Sequence, residues 1–98
     1  MTGREVNIMK ALFQLGAVVM TQGAKRLMKE LGLDPAHYLA RHVTGDWGDL
    51  SEDDKKENDF SVTRNQRILS AYGTGESKLW IITEADRSAT TILRPDEY

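Results

Sequence analysis

The sequence predicts one α+β domain, with helices through its middle and a short antiparallel sheet in its last third. Three observations predict this. Apolar residues recur at helical spacing between Ala24 and Val43, and the period changes to two near Arg67. The length, 98 residues with 40% apolar side chains, suits one compact core and is too short for two.

The first eleven residues show no convincing period and are read as an N-terminal extension, with residues 12–98 as the domain. Residues 12–19 can be read two ways. As a strand, Phe13, Leu15, Ala17 and Val19 share one face, with Gln14 and Gly16 on the other. As the end of a helix starting near Glu5, Met9, Phe13 and Met20 would line a stripe. Two valines and a central glycine favour the strand.

Thr21 reads as the N-cap of a helix whose stripe is Ala24, Leu27, Met28 and Leu31, and Gly32 stands where it should stop. Asp34 then offers a carboxylate to free amides, and Pro35 is tolerated at a first helical position. Tyr38, Leu39, His42 and Val43 form the stripe of this second helix, and Gly45 ends it. The two helices make an αα-hairpin. Residues 45–49 are a turn rich in Gly and Asp. Ser51 opens a third helix with Glu52, Asp53 and Asp54 in its first turn, where the dipole favours negative charge; the spacing carries it to about Phe60. Residues 67–72, 79–84 and 89–94 alternate as strands joined by short loops, which predicts a three-stranded antiparallel meander. Pro95 forbids further ladder pairing.

Composition excludes several functions. Without cysteine the chain has no disulfide, thiolate metal site or thiol nucleophile, which fits a reducing cytoplasm. The apolar run 11–20 is too short for a ~30 Å hydrocarbon layer and lacks the flanks of a signal peptide, so a cytoplasmic protein with no membrane partner is expected. A net charge of −2 argues against a generally basic nucleic-acid binder. The charge is unevenly placed: Asp46, Asp49, Glu52, Asp53, Asp54, Glu57 and Asp59 face only Lys55 and Lys56, while Lys25, Arg26 and Lys29 face Glu30. An acidic surface of that kind can meet a basic partner or mimic phosphates.

His37 and His42 stand about 140° apart on a helix, a poor arrangement for one metal. The default for His42 is a partly buried, hydrogen-bonded imidazole; catalysis is the alternative. The acidic run lacks the alternate spacing of a calcium loop, so no metal and no cofactor are expected. Trp47, between glycines in a tight turn, either plugs the core or stands out as an anchor for a partner. In a meander the start of the first strand and the end of the second share one edge, so Arg67, Glu84 and Arg87 should gather there, with Arg64 and Asp86 nearby. They would grip a phosphate or form a surface ion-pair network, and Asp86 has a simpler role in bonding the Ser88 amide. The two helices around Gly32-Leu33-Asp34-Pro35 also suggest a helix-turn-helix, although Asp34, Pro35, Ala36 and His37 suit a polyanion badly.

Two resemblances add expectations. The stretches His42-Val43-Thr44-Gly45-Asp46-Trp47-Gly48-Asp49-Leu50 and Ile82-Thr83-Glu84-Ala85-Asp86-Arg87-Ser88-Ala89-Thr90-Thr91 resemble a family of small proteins of bacterial plasmids and integrated mobile elements, over nearly the whole chain from Phe13. That likeness implies a setting in bacterial gene exchange. Arg64-Asn65-Gln66-Arg67-Ile68-Leu69 followed by Leu79-Trp80-Ile81-Ile82-Thr83 is similar to the C-terminal strands of barnase-like ribonucleases, over about a third of the chain. Those enzymes carry a histidine after the later strand, where this chain has Asp86-Arg87. The resemblance therefore implies cleavage with Arg67 and Arg87 on the phosphate, Glu84 as base and His42 as acid.

The leading expectation is a non-catalytic accessory protein of a mobile genetic element that binds a protein or nucleic acid. Its surfaces would be Trp47, Asp46 and Asp49 on one side, and Arg67, Glu84, Asp86 and Arg87 on the other. A metal-independent endoribonuclease and a helix-turn-helix DNA binder are the alternatives.

Overall fold

The computed structural model describes residues 10–98. In chain order these form β1 (Ala17–Met20), α1 (Gln22–Leu31), α2 (Pro35–Val43), α3 (Glu52–Arg64), β2 (Ile68–Tyr72), β3 (Leu79–Thr83) and β4 (Ala89–Leu93). Single 3₁₀ turns follow β2 at Gly75–Ser77 and β4 at Pro95–Glu97. The fold is α+β, and each strand of the expected meander stops one residue short of its expected end or start, so Arg67, Glu84 and Arg94 flank the ladder.

Each helix begins where a side-chain oxygen meets the free amides of its first turn. Thr21 accepts from the Ala24 amide, Asp34 from Ala36 and Ser51 from Asp54. Helix α1 ends at Gly32 in the left-handed region. Helix α3 runs past the expected stop at Phe60 to Arg64, where Asn65 takes a left-handed conformation and its N–H bonds the Ser61 carbonyl. Its inward residues are Asn58 and Ser61, both buried. A helix that buries polar side chains shows no apolar stripe, which is why its last turn escapes a reading based on hydrophobic spacing.

The sheet is four-stranded and mixed, in the order β1-β4-β3-β2. Strands β2, β3 and β4 are the antiparallel meander, and β1 joins it in parallel, with Ala17 opposite Ala89 and Met20 opposite Ile92. The three-stranded description therefore needs correction. The strand reading of residues 12–19 holds only for the part after Gly16; residues 13–16 are irregular and no helix runs through them, and the suggested helical start at Glu5 and Met9 lies outside the described residues. Gly16 has φ +66°, and a Cβ there would sit 2.4 Å from the Ser88 carbonyl, so only glycine allows β1 this close to β4. The apolar face assigned to this strand is also corrected: at the sheet margin Ala17 is exposed and Val19 is 50% exposed.

Alternation divides the sheet into two faces. On the inner face Tyr72, Leu79, Ile81 and Ile92 pack with Ala24, Leu27 and Met28 of α1, while Tyr38 and Leu39 of α2 close the side. On the outer face lie Leu69, Ala71, Trp80, Ile82, Thr91 and Leu93, with α3 along the β2 margin.

That margin is closed to further strands. The Asn58 amide donates to the Leu69 carbonyl at 2.6 Å and accepts from the Leu69 N–H at 3.2 Å, standing in for a neighbouring strand. The turn before α3 does the rest: the Asp49 N–H donates to the Ala71 carbonyl, and the Ala71 N–H donates to the Trp47 carbonyl. At the centre of this bridge Gly48 has φ +77°, and a Cβ would meet the Ala71 oxygen at 2.0 Å.

Candidate functional site

The meander brings Arg67, Glu84 and Arg87 to one margin, as the strand order required. Their states differ. Arg67 is exposed and pairs with Glu84 at 3.3 Å, while its other amine donates to the Tyr98 hydroxyl at 2.6 Å. The Glu84 carboxylate raises the Arg67 pKa further. Arg87 has turned inward. Its guanidinium donates to the carbonyls of Gln66, Glu84, Ala85 and Ser61, and it lies over the Phe13 ring at 5.6 Å from the centroid. It ties the end of α3 to the β3–β4 turn, with both terminal amines turned to carbonyls. Arg64 stacks on Phe60 instead of joining the group, and Asp86 bonds the Ser88 N–H; the Ser88 side chain, and then that N–H, hold its carboxyl below the ordinary value.

This division of labour has a measurable consequence. Arg87→Lys will lower stability by about 1–3 kcal/mol, because a single ammonium cannot serve four carbonyls. Arg67→Ala will change it by less than about 1 kcal/mol, as befits an exposed pair. Urea unfolding of both variants checks the contrast.

His42 is far from that margin in chemical terms. It is fully buried, and both ring nitrogens are engaged, Nδ1 with Ser70 Oγ at 2.6 Å and Nε2 with Thr83 Oγ1 at 2.9 Å. Thr83 continues to Thr90 Oγ1 at 2.7 Å, and Thr90 donates to the Leu15 carbonyl at 2.7 Å. Burial pushes the imidazole pKa down to about 3, so the ring is neutral. His37 is exposed against Tyr38 and meets no second histidine. The sequence offered His42 as an acid for RNA cleavage; its buried position keeps it from substrate and from the arginines.

Trp47 is the core plug rather than a surface anchor. It is 4% exposed, its indole N–H donates to Asp59 at 2.9 Å, and its ring stacks on Phe13 and meets His42 edge-on. Asp46 is committed to the same turn: it pairs with Arg41 at 2.6 Å and accepts from the Gly48 N–H, and Arg41 holds its carboxyl below the ordinary value. Asp49 is exposed and accepts from the Gly73 N–H.

The concave feature nearest these acids is a groove of about 550 Å³ on the outer face. Leu69, Ala71 and Trp80 make its floor, and Asp49, Asp54, Glu57 and Asn58 stand along the α3 side, with Lys78 at the rim. Asp54 and Glu57 are three residues apart and so share one helical face. Trp80 is partly exposed, and Tyr98 meets it edge-on at 5.9 Å. Sequence reasoning pointed to the acidic run but missed the floor; the signal for it was the outward register of Leu69, Ala71 and Trp80. Among the described residues no helix is long and apolar enough to cross a membrane. Comparison with protein-family models, with curated proteins and with solved structures finds no match to this chain.

Proposed function

We propose that this is a non-catalytic accessory protein of a mobile genetic element, acting by binding another macromolecule. The observation that carries the reading is the groove between α3 and the outer sheet face, which joins an aromatic and aliphatic floor to a charged wall. The mobile-element setting rests on the resemblance of residues 42–50 and 82–91. A ribonuclease needs an accessible acid near neutral pH, whereas His42 is sealed and neutral, and Arg87 is bound to carbonyls. A DNA-reading helix would have to be α2, whose first residues are an amide-capping Asp34 and a proline.

Affinity capture from a bacterial host tests this, comparing the native protein with Asp54→Arg/Glu57→Arg. Material retained by the native protein and lost by the variant supports groove-mediated binding. Identical retention by both, or cleavage of added RNA by the purified protein, overturns it.

A further inference from the structure

We infer that the groove takes a cationic, extended segment of a protein, laying arginine or lysine side chains along Trp80 beneath the carboxylates of α3. This rests on the binding function proposed above and names the class of partner. Three carboxylates, from Asp49, Asp54 and Glu57, line the groove against the single ammonium of Lys78. Asp54 and Glu57 are exposed and open to a ligand, and the Asp49 carboxylate at the same wall accepts from the Gly73 N–H.

The floor adds what a merely solvated acidic helix would lack. Trp80 offers an aromatic surface to a cation, and the partly exposed Leu69 offers apolar surface to the methylene stem behind it, over the buried Ala71. Carboxylates at one end of a long side chain and an indole along it match arginine and lysine, and repel a phosphate backbone. The occupant does not enter as a fifth strand, because Asn58 and the bridge at Gly48 already hold the backbone groups of Leu69 and Ala71. It lies across the face and is recognised through its side chains.

The probes are a short capped peptide of alternating Arg and Val, its Glu-Val counterpart, and a single-stranded RNA oligonucleotide. Each is titrated into the full chain while backbone amide and Trp indole NMR shifts are followed. The expected result is that the Arg-Val peptide moves the signals of Leu69, Ala71, Lys78 and Trp80, and that the Glu-Val peptide does not. Added salt weakens the binding, and Asp54→Asn/Glu57→Gln weakens it about tenfold or more while leaving the remaining spectrum in place. The inference is overturned if no shift reaches these residues at about 1 mM peptide, if the double variant binds equally well, or if the RNA moves the same signals. In each of those cases the capture experiment still decides separately whether the groove binds a macromolecule of another class.

Discussion

Replacing Trp47 with alanine will remove about 3–5 kcal/mol of stability, a large part of the 5–15 kcal/mol typical of a domain. The indole is enclosed by Phe13 and His42, and its N–H reaches across to Asp59 on α3. Truncation opens a cavity between the α2–α3 turn and the sheet, and leaves the turn that closes β2 without its central contact. Trp47→Phe should lose less, since it keeps a ring and gives up chiefly the bond to Asp59. Denaturant unfolding of both variants checks this; an alanine variant as stable as the native protein would show the ring to be peripheral. The same burial means that a lost phenotype in a Trp47→Ala strain reports on folding before it reports on any partner.

Acidification should produce the second large effect, and it begins above the range where carboxylates protonate. The His42 imidazole has a folded-state pKa of about 3 against an ordinary 6.5. As pH falls the unfolded chain takes up this proton first, so the contribution is complete above pH 6.5 and is lost progressively toward pH 3. By about pH 4.5 the loss is roughly 2.5 kcal/mol. The depressed carboxyls of Asp46 and Glu97 act lower: their contributions are present above the ordinary values of 3.8 and 4.5 and fall away beneath them. The slope of stability between pH 6.5 and 5 therefore isolates the histidine. Native protein should show it, and His42→Gln, uncharged throughout, should not. An equal slope in both would assign the effect elsewhere.

Local chemistry was the legible part of this fold. Thr21, Asp34 and Ser51 cap the helices they were expected to cap, and Gly32 ends its helix, because capping involves neighbours in the chain. The meander was equally readable, since short loops leave adjacent strands few alternatives. The partner of β1 was not: parallel pairing of Ala17 with Ala89 joins residues from opposite ends of the described chain, and no local period encodes it. For the site, the gathering of Arg67, Glu84 and Arg87 followed from strand order, but the inward turn of Arg87 depends on the Ser61 carbonyl at the end of a helix that reads as shorter than it is. The groove floor was hidden for a similar reason. Its residues alternate with core residues along β2 and β3, and only the placement of α3 at the sheet margin turns an outward register into a concavity.

The hydroxyl chain that begins at His42 also has a direction. The Leu15 carbonyl can only accept, so the Thr90 hydroxyl points its hydrogen there and must receive one from Thr83. Thr83, its own hydrogen committed, receives from Nε2, which leaves Nδ1 bare to accept from Ser70. A single backbone oxygen in the irregular segment before β1 thus selects the Nε2–H tautomer of a ring on α2, through one threonine on each of two strands. Detaching that segment would free four hydrogens to reverse together.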